Sequence, residues 1–211
     1  MKNKTTLYHF ILDSSGSMAS DRENTVALFN RQVATVRSLA AEYPQQEFLA
    51  GLTIFNDTAQ HLLQETPANK LLDLKHEVYI PDGLTALYDA IGESTKRIQD
   101  KFGSQINEGE MSVVVIILTD GHENASKRYD AATIAKIIKE LEASDNWTFT
   151  ILGADFDITK VSADLNFRAN ASLNYSKAQF RNMAADMEDS LRHYADQKSS
   201  GTVPKDFFHK K

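Results

Sequence analysis

Three short segments of this 211-residue chain gather side-chain oxygens beside glycine: Asp13-Ser14-Ser15-Gly16-Ser17, Asp82-Gly83-Leu84-Thr85 and Thr119-Asp120-Gly121. Carboxylates and hydroxyls are hard donors suited to Mg²⁺, Mn²⁺ or Ca²⁺, and glycine lets the backbone fold tightly around such an ion. Softer metal chemistry has no ligands here. The chain lacks cysteine, which excludes a disulfide framework, a thiolate zinc site and a cysteine nucleophile. Its six histidines are dispersed, without the H-x-x-x-H or H-E-x-x-H spacing of a zinc site. Each oxygen segment alone has a plainer reading. Asp13, Ser15 and Ser17 suit a turn capped by its own side chains, Asp82 suits a turn beside Gly83, and Thr85 suits a helix start.

What must position these segments is a strand-helix alternation. Residues 7–12 are a nearly continuous apolar run, as expected of a strand buried on both faces, and they stop at Asp13. Val26, Phe29, Val33, Val36, Ala40 and Tyr43 then form the apolar stripe of a helix that Pro44 helps to end. A strand over 48–55 meets Asn56-Asp57, a tight-turn pair, so 58–63 is predicted to return as an antiparallel edge strand. An irregular connection over 64–83 leads into a helix over 84–102 and then a central parallel strand over 113–118. Asp130 is placed to cap a helix carrying Ile134, Ile137, Ile138 and Leu141, and strands follow over 148–152 and 171–174. Ser176 with Gln179 reads as a capping box opening a last helix, whose stripe is Phe180, Met183, Met187, Leu191 and Tyr194.

This pattern predicts an α/β fold: a doubly wound, mostly parallel six-stranded sheet with one antiparallel edge strand and helices on both faces. In such sheets ligands bind beyond the carboxyl ends of the strands, where the strand order reverses. The oxygen segments fall at those ends. Asp155 and Asp157 face the same side, yet two acids in a loop are as readily solvated. His122, Glu123 and Asn124 follow the Asp120-Gly121 turn and are candidates to contact a partner or orient water, against the plainer reading of a solvated loop.

Composition bounds the rest. One domain is expected over 1–195, with a polar, aperiodic tail over 196–211 that reads as flexible; its pair Phe207-Phe208 is a candidate docking element, against the plainer reading of a frayed end or a patch lying on the domain. A net charge of −6 gives no electrostatic reason to expect nucleic acid or an anionic membrane. The first apolar run is too short for a signal sequence or a span, so a soluble, cytoplasmic protein is expected.

Taken together, Asp13-x-Ser15-x-Ser17, Thr85 in Gly83-Leu84-Thr85-Ala86, and Thr119-Asp120-Gly121 resemble the metal ion-dependent adhesion site (MIDAS) of von Willebrand factor type A domains. The similarity covers about residues 5–195, with five positions in the family's chain order. The phrases Thr85-Ala86-Leu87-Tyr88-Asp89-Ala90-Ile91 and Thr119-Asp120-Gly121-x-Glu123-Asn124 look like small stand-alone bacterial or phage members. The resemblance implies a Rossmann-like sheet. It also implies that Ser15, Ser17 and Thr85 offer hydroxyls to the metal while Asp13 and Asp120 act mostly through waters. The implied cation is Mg²⁺, with Mn²⁺ or Ca²⁺ possible, and the implied partner is a protein that brings an Asp or Glu, such as an ATPase or a larger assembly.

Two other classes compete with such a binding module. A phosphoryl-transfer enzyme of the haloacid dehalogenase type also carries an aspartate at the end of its first strand, but it needs a second carboxylate two residues on. Position 15 is Ser, and the lysine context that chemistry needs near Asp120 is missing. Nucleotide-binding and serine-hydrolase motifs are absent: no G-x-x-x-x-G-K-[ST], no G-x-G-x-x-G after the first strand, and no G-x-S-x-G. A structural or oligomerisation protein is the remaining alternative, in which the metal would only stiffen loops.

Overall fold

The first apolar run forms β1 (Lys4–Asp13), and a two-turn 3₁₀ segment, Gly16–Asp21, leads from it into α1 (Arg22–Glu42). After these come β2 (Gln46–Phe55), β3 (Ala59–Pro67), α2 (Leu87–Asn107), β4 (Met111–Thr119), α3 (Ala131–Glu142), β5 (Trp147–Ala154), α4 (Ile158–Asp164), β6 (Ser172–Tyr175) and α5 (Phe180–Ser199). This computed structural model describes residues 4–154, 158–168, 171–176, 179–202, 204 and 207–208. The six strands stand in the order β3-β2-β1-β4-β5-β6, parallel except for the antiparallel β2–β3 pair at the edge. That is the sheet expected from the sequence.

The alternation of β1 sorts its side chains into two cores. Tyr8, Phe10 and Leu12 face α1 and α5, where Phe10 meets Phe29 edge-on at 5.3 Å between ring centres. Leu7 and Ile11 face α2 and α3 and share that side with Val113, Val115 and Ile117 of β4. Complete burial of such side chains stabilises the fold by about 1.5–3 kcal/mol each, so the central strands and their flanking helices carry most of the apolar stabilisation. The chain turns back on the sheet between β1 and β4: β2 lies on one side of β1 and β4 on the other. The carboxyl ends of these neighbours, Asp13 and Thr119, therefore open into one crevice.

Several boundaries differ from expectation for identifiable reasons. Helix α2 starts at Leu87 rather than at 84, because Thr85 and Ala86 are drawn into loop hydrogen bonds, and it continues to Asn107. Asp130 caps α3 as expected, accepting the Thr133 N–H at 2.8 Å. Half of the expected capping box forms: the Gln179 side chain accepts the Ser176 N–H at 3.1 Å, but it also takes the Ser176 hydroxyl at 3.1 Å, and α5 begins after Gln179. Helix α4 is an addition to the pattern; its seven residues carry too short an apolar stripe to stand out in the sequence. Helix α5 runs past 195 to Ser199, and Phe207 and Phe208 are buried in the core cluster that includes the apolar faces of α1 and α5, their ring centres 5.0 Å apart.

Candidate metal centre

Asp13 is the last residue of β1 and is fully buried. Its Oδ1 accepts the Ser15 N–H at 2.7 Å, and its Oδ2 accepts the hydroxyl of Thr119, the last residue of β4, at 2.6 Å. The Tyr79 hydroxyl donates to the Asp13 backbone carbonyl from the long connection before α2. Burial pushes the Asp13 carboxyl above its ordinary range; the bonds from Thr119 and Ser15 oppose that, and the neighbouring Asp120 charge adds to it. Burial, helped by the Asp13 charge, likewise drives the Tyr79 hydroxyl upward, which keeps it protonated as a donor. Next along the chain, Ser14 anchors the loop by bonding the Phe55 carbonyl twice, from its N–H at 2.7 Å and its hydroxyl at 2.9 Å.

From this anchored start the hydroxyls converge. Ser15 Oγ lies 3.2 Å from Ser17 Oγ, and Ser17 Oγ donates to Asp120 Oδ1 at 2.5 Å. The Cβ position of Gly121 would stand 3.6 Å from Thr85 Oγ1 and 3.8 Å from Ser17 Oγ, so the second segment approaches the first beside the third, with Ser15 and Asp120 linked to the spot through Ser17. Asp13, Ser15 and Thr85 form its buried floor, while Ser17 is exposed and Asp120 half-buried at its rim. The five residues singled out in the sequence are brought together.

Neighbouring loops hold the Thr85 segment in place. Gly16 N–H donates to the Gly83 carbonyl at 3.1 Å, and Asp82 N–H to the Ser14 carbonyl at 2.9 Å, clasping the first segment to the second. The β2–β3 hairpin adds two bonds: Ala86 N–H to the Asn56 carbonyl at 2.7 Å and Leu84 N–H to Asp57 Oδ2 at 3.3 Å. Gly83 is required by this contact. Its φ is +76°, and a Cβ there would stand 2.1 Å from Asp57 Oδ2. Asp82 accepts the Gly83 N–H at 2.8 Å, the turn role rather than a third acid of the site.

As a donor set this arrangement fits a hard divalent cation: three hydroxyls, two carboxylates and an open rim, with no softer ligand. Among the described residues, no three His, Asp or Glu side chains cluster as a metal site, so an ion held here would rely on neutral hydroxyls. Asp155 and Asp157 lie outside the described residues. His122 is exposed, whereas Glu123 accepts the Tyr88 N–H in the first turn of α2 and Asn124 accepts the Thr85 N–H just ahead of it. Thr119 stands in the Thr119-Asp120-Gly121 motif without a role of its own, and its place at the end of the apolar run 113–118 is the signal for its contact with Asp13. Tyr79, inside an irregular stretch, carries no such signal.

A doubly wound sheet in this order, with this crevice beyond β1 and β4, defines the von Willebrand factor type A fold. Solved structures of that fold are its neighbours. The ArnB paralog VWA2 from Sulfolobus acidocaldarius is 18% identical, with a TM-score of 0.60 over 89% of this chain and 46% of that one. Proximal thread matrix protein 1 from the mussel byssus, solved with a zinc-occupied MIDAS motif, is 15% identical, with a TM-score of 0.58 over 92% of this chain and 47% of that one. The von Willebrand factor domain of the type V pili tip protein Mfa5 from Porphyromonas gingivalis is 9% identical, with a TM-score of 0.60 over 92% of this chain and 96% of that one. The chain thus spans about half the length of the first two. No family model matches the sequence, and no curated protein matches it.

Proposed function

We propose that this chain is a protein-binding module in which Ser15, Ser17 and Thr85, backed by Asp13 and Asp120, hold a divalent cation whose remaining coordination is completed by an Asp or Glu of a partner protein. Mg²⁺ is the cation of first choice, with Mn²⁺ or Ca²⁺ as substitutes. When bound, the cation supplies a positive centre on the surface of a chain whose net charge is −6. The observation that carries the reading is the convergence on Ser17 Oγ of Ser15 Oγ and Asp120 Oδ1, with Ser17 and Thr85 hydroxyls flanking the spot beside Gly121 and the rim exposed. The mussel protein with a zinc-occupied MIDAS motif supports it by analogy of fold.

The chain's own residues divide the work. Asp13 is too buried to meet a partner and is occupied by Ser15 and Thr119, which suits an indirect part through water. Ser17 and Asp120 stand at the rim, where a partner arrives. On the connection that leads to Thr85, Ile80 and Leu84 are 62% and 51% exposed, large apolar side chains of the kind a protein partner covers. A hydroxyl at Ser15 cannot shuttle a proton near neutral pH as a carboxylate can, so binding is favoured over phosphoryl transfer. No described helix is long and apolar enough to cross a membrane. A cytoplasmic setting, and a partner that is an ATPase or part of a larger assembly, belong to the same proposal.

Capture of proteins from the native host on the immobilised full chain, with Mg²⁺ and then with chelator, tests the function. The proposal expects a specific partner to be retained with Mg²⁺, released by chelator and lost in Asp13→Ala. Identical captures under all three conditions would overturn it.

A further inference from the structure

Helix α2 begins behind Ala86, whose side chain cannot cap it. The first N–H groups of a helix still need partners, and these arrive from the loop after β4. Glu123 Oε2 accepts the Tyr88 N–H and Ser126 Oγ accepts the Asp89 N–H, both at 3.0 Å. Asp89 returns the contact: Oδ2 accepts the Lys127 N–H, and Oδ1 those of Arg128 and Tyr129, each at 2.9 Å. Glu123 also gathers its own loop, accepting the Ala125 N–H at 2.9 Å and the Ser126 N–H at 2.7 Å. Between these bonds, Asn124 brackets Thr85. The Thr85 N–H donates to Asn124 Oδ1 at 2.9 Å, and the Asn124 N–H donates to the Thr85 carbonyl at 3.0 Å.

Thr85 and Asp120 belong to segments far apart in sequence, yet both border the candidate metal centre. We propose that residues 123–129 form a clasp that fixes Thr85 relative to Asp120, and that Asn124 and Glu123 are positioning residues of that centre, acting through Thr85 and the first turn of α2. The inference rests on the metal reading above. Its physical basis is the narrow tolerance of a small cation for the placement of its oxygens, which a displaced loop cannot meet. Thr85 is 4% exposed, so its N–H has little access to water if the Asn124 carbonyl is removed. Groups that orient a metal's ligands without touching the metal commonly change its affinity by about 10–100-fold.

Mn²⁺ titration of the full chain, followed by electron paramagnetic resonance at a temperature where every metal-free variant is folded by circular dichroism, tests the clasp. Asn124→Leu is expected to weaken Mn²⁺ binding about tenfold or more. Asn124→Asp keeps the acceptor oxygen and is expected to bind no worse than about threefold below wild type, on the same scale. A purely structural role would lower the melting temperature and leave the affinity of the folded protein alone. Should Asn124→Leu not fold, hydrogen exchange of the wild type decides: added Mg²⁺ is expected to slow the amides of 127–129, which bond Asp89, together with those of 84–90. A folded Asn124→Leu protein that binds Mn²⁺ like wild type, or 127–129 amides indifferent to Mg²⁺, would overturn the clasp while leaving the metal reading intact. A wild type that takes up no Mn²⁺ would overturn the metal reading, and the clasp with it.

Discussion

Thr119→Val isolates the hydrogen bond that ties the ends of β1 and β4 together. The two side chains have nearly the same shape, and Thr119 is fully buried, so the change removes a hydroxyl without opening a cavity. That hydroxyl donates to Asp13 Oδ2 at 2.6 Å and lies 3.2 Å from the Gly121 N–H as its acceptor. A bond to a charged acceptor contributes about 1.5–3 kcal/mol, and the Gly121 bond, near the rim where water can replace it, about 0.5 kcal/mol. The expected loss is therefore about 2–3.5 kcal/mol. For a chain of this length that lowers the melting temperature by about 4–14 °C, at about 2–4 °C per kcal/mol. Calorimetric unfolding in chelator measures it without interference from bound metal. With one donor fewer, the Asp13 carboxyl is expected to rise further, a change visible in the carboxyl carbon titration. A melting temperature within 1 °C of wild type in chelator would refute the view that this bond organises the crevice.

Two other perturbations test the account elsewhere. Gly83→Ala places a β-carbon at a positive φ and against Asp57, so a loss of about 1–2 kcal/mol is expected from the left-handed backbone alone, read by urea unfolding, together with weaker Mn²⁺ binding through Thr85. Lys198 is buried with its ammonium donating to Ser112 Oγ, and burial, with the Lys4 charge adding to it, pushes the amine down to about 8. Because the unfolded chain holds that proton more tightly, stability is expected to rise with pH between about 8 and 10.5, and Lys198→Met to flatten that slope and add about 1–2 kcal/mol at neutral pH. Chemical denaturation across that pH range checks both, and a wild-type slope that Lys198→Met leaves unchanged would assign the effect elsewhere.

The strands could be read from sequence because a strand buried on both faces has to be apolar throughout, as 113–118 is. The meeting of Asp13 with Asp120 was readable for a topological reason: the order reverses between β1 and β4, so their carboxyl ends must be neighbours. What stayed hidden depended on register and on distant partners. Thr119 reaches Asp13 only because Leu12 lies opposite Leu118, a pairing no local pattern fixes. Helix α2 was started too early because its caps, Glu123 and Ser126, stand more than thirty residues downstream of the N–H groups they satisfy. The same distance disguised Glu123 and Asn124. In sequence they follow a turn and resemble solvated loop residues; in the fold they are tied to α2.

The proposed function places one divalent cation where the three oxygen segments approach one another. Anomalous scattering from a crystal of the full chain soaked in Mn²⁺ locates that ion. A single strong peak is expected, bordered by Ser15 Oγ, Ser17 Oγ and Thr85 Oγ1 and absent from an Asp13→Ala crystal treated in the same way. A saturated crystal with no peak there, or with its strongest peak at another site, would contradict it.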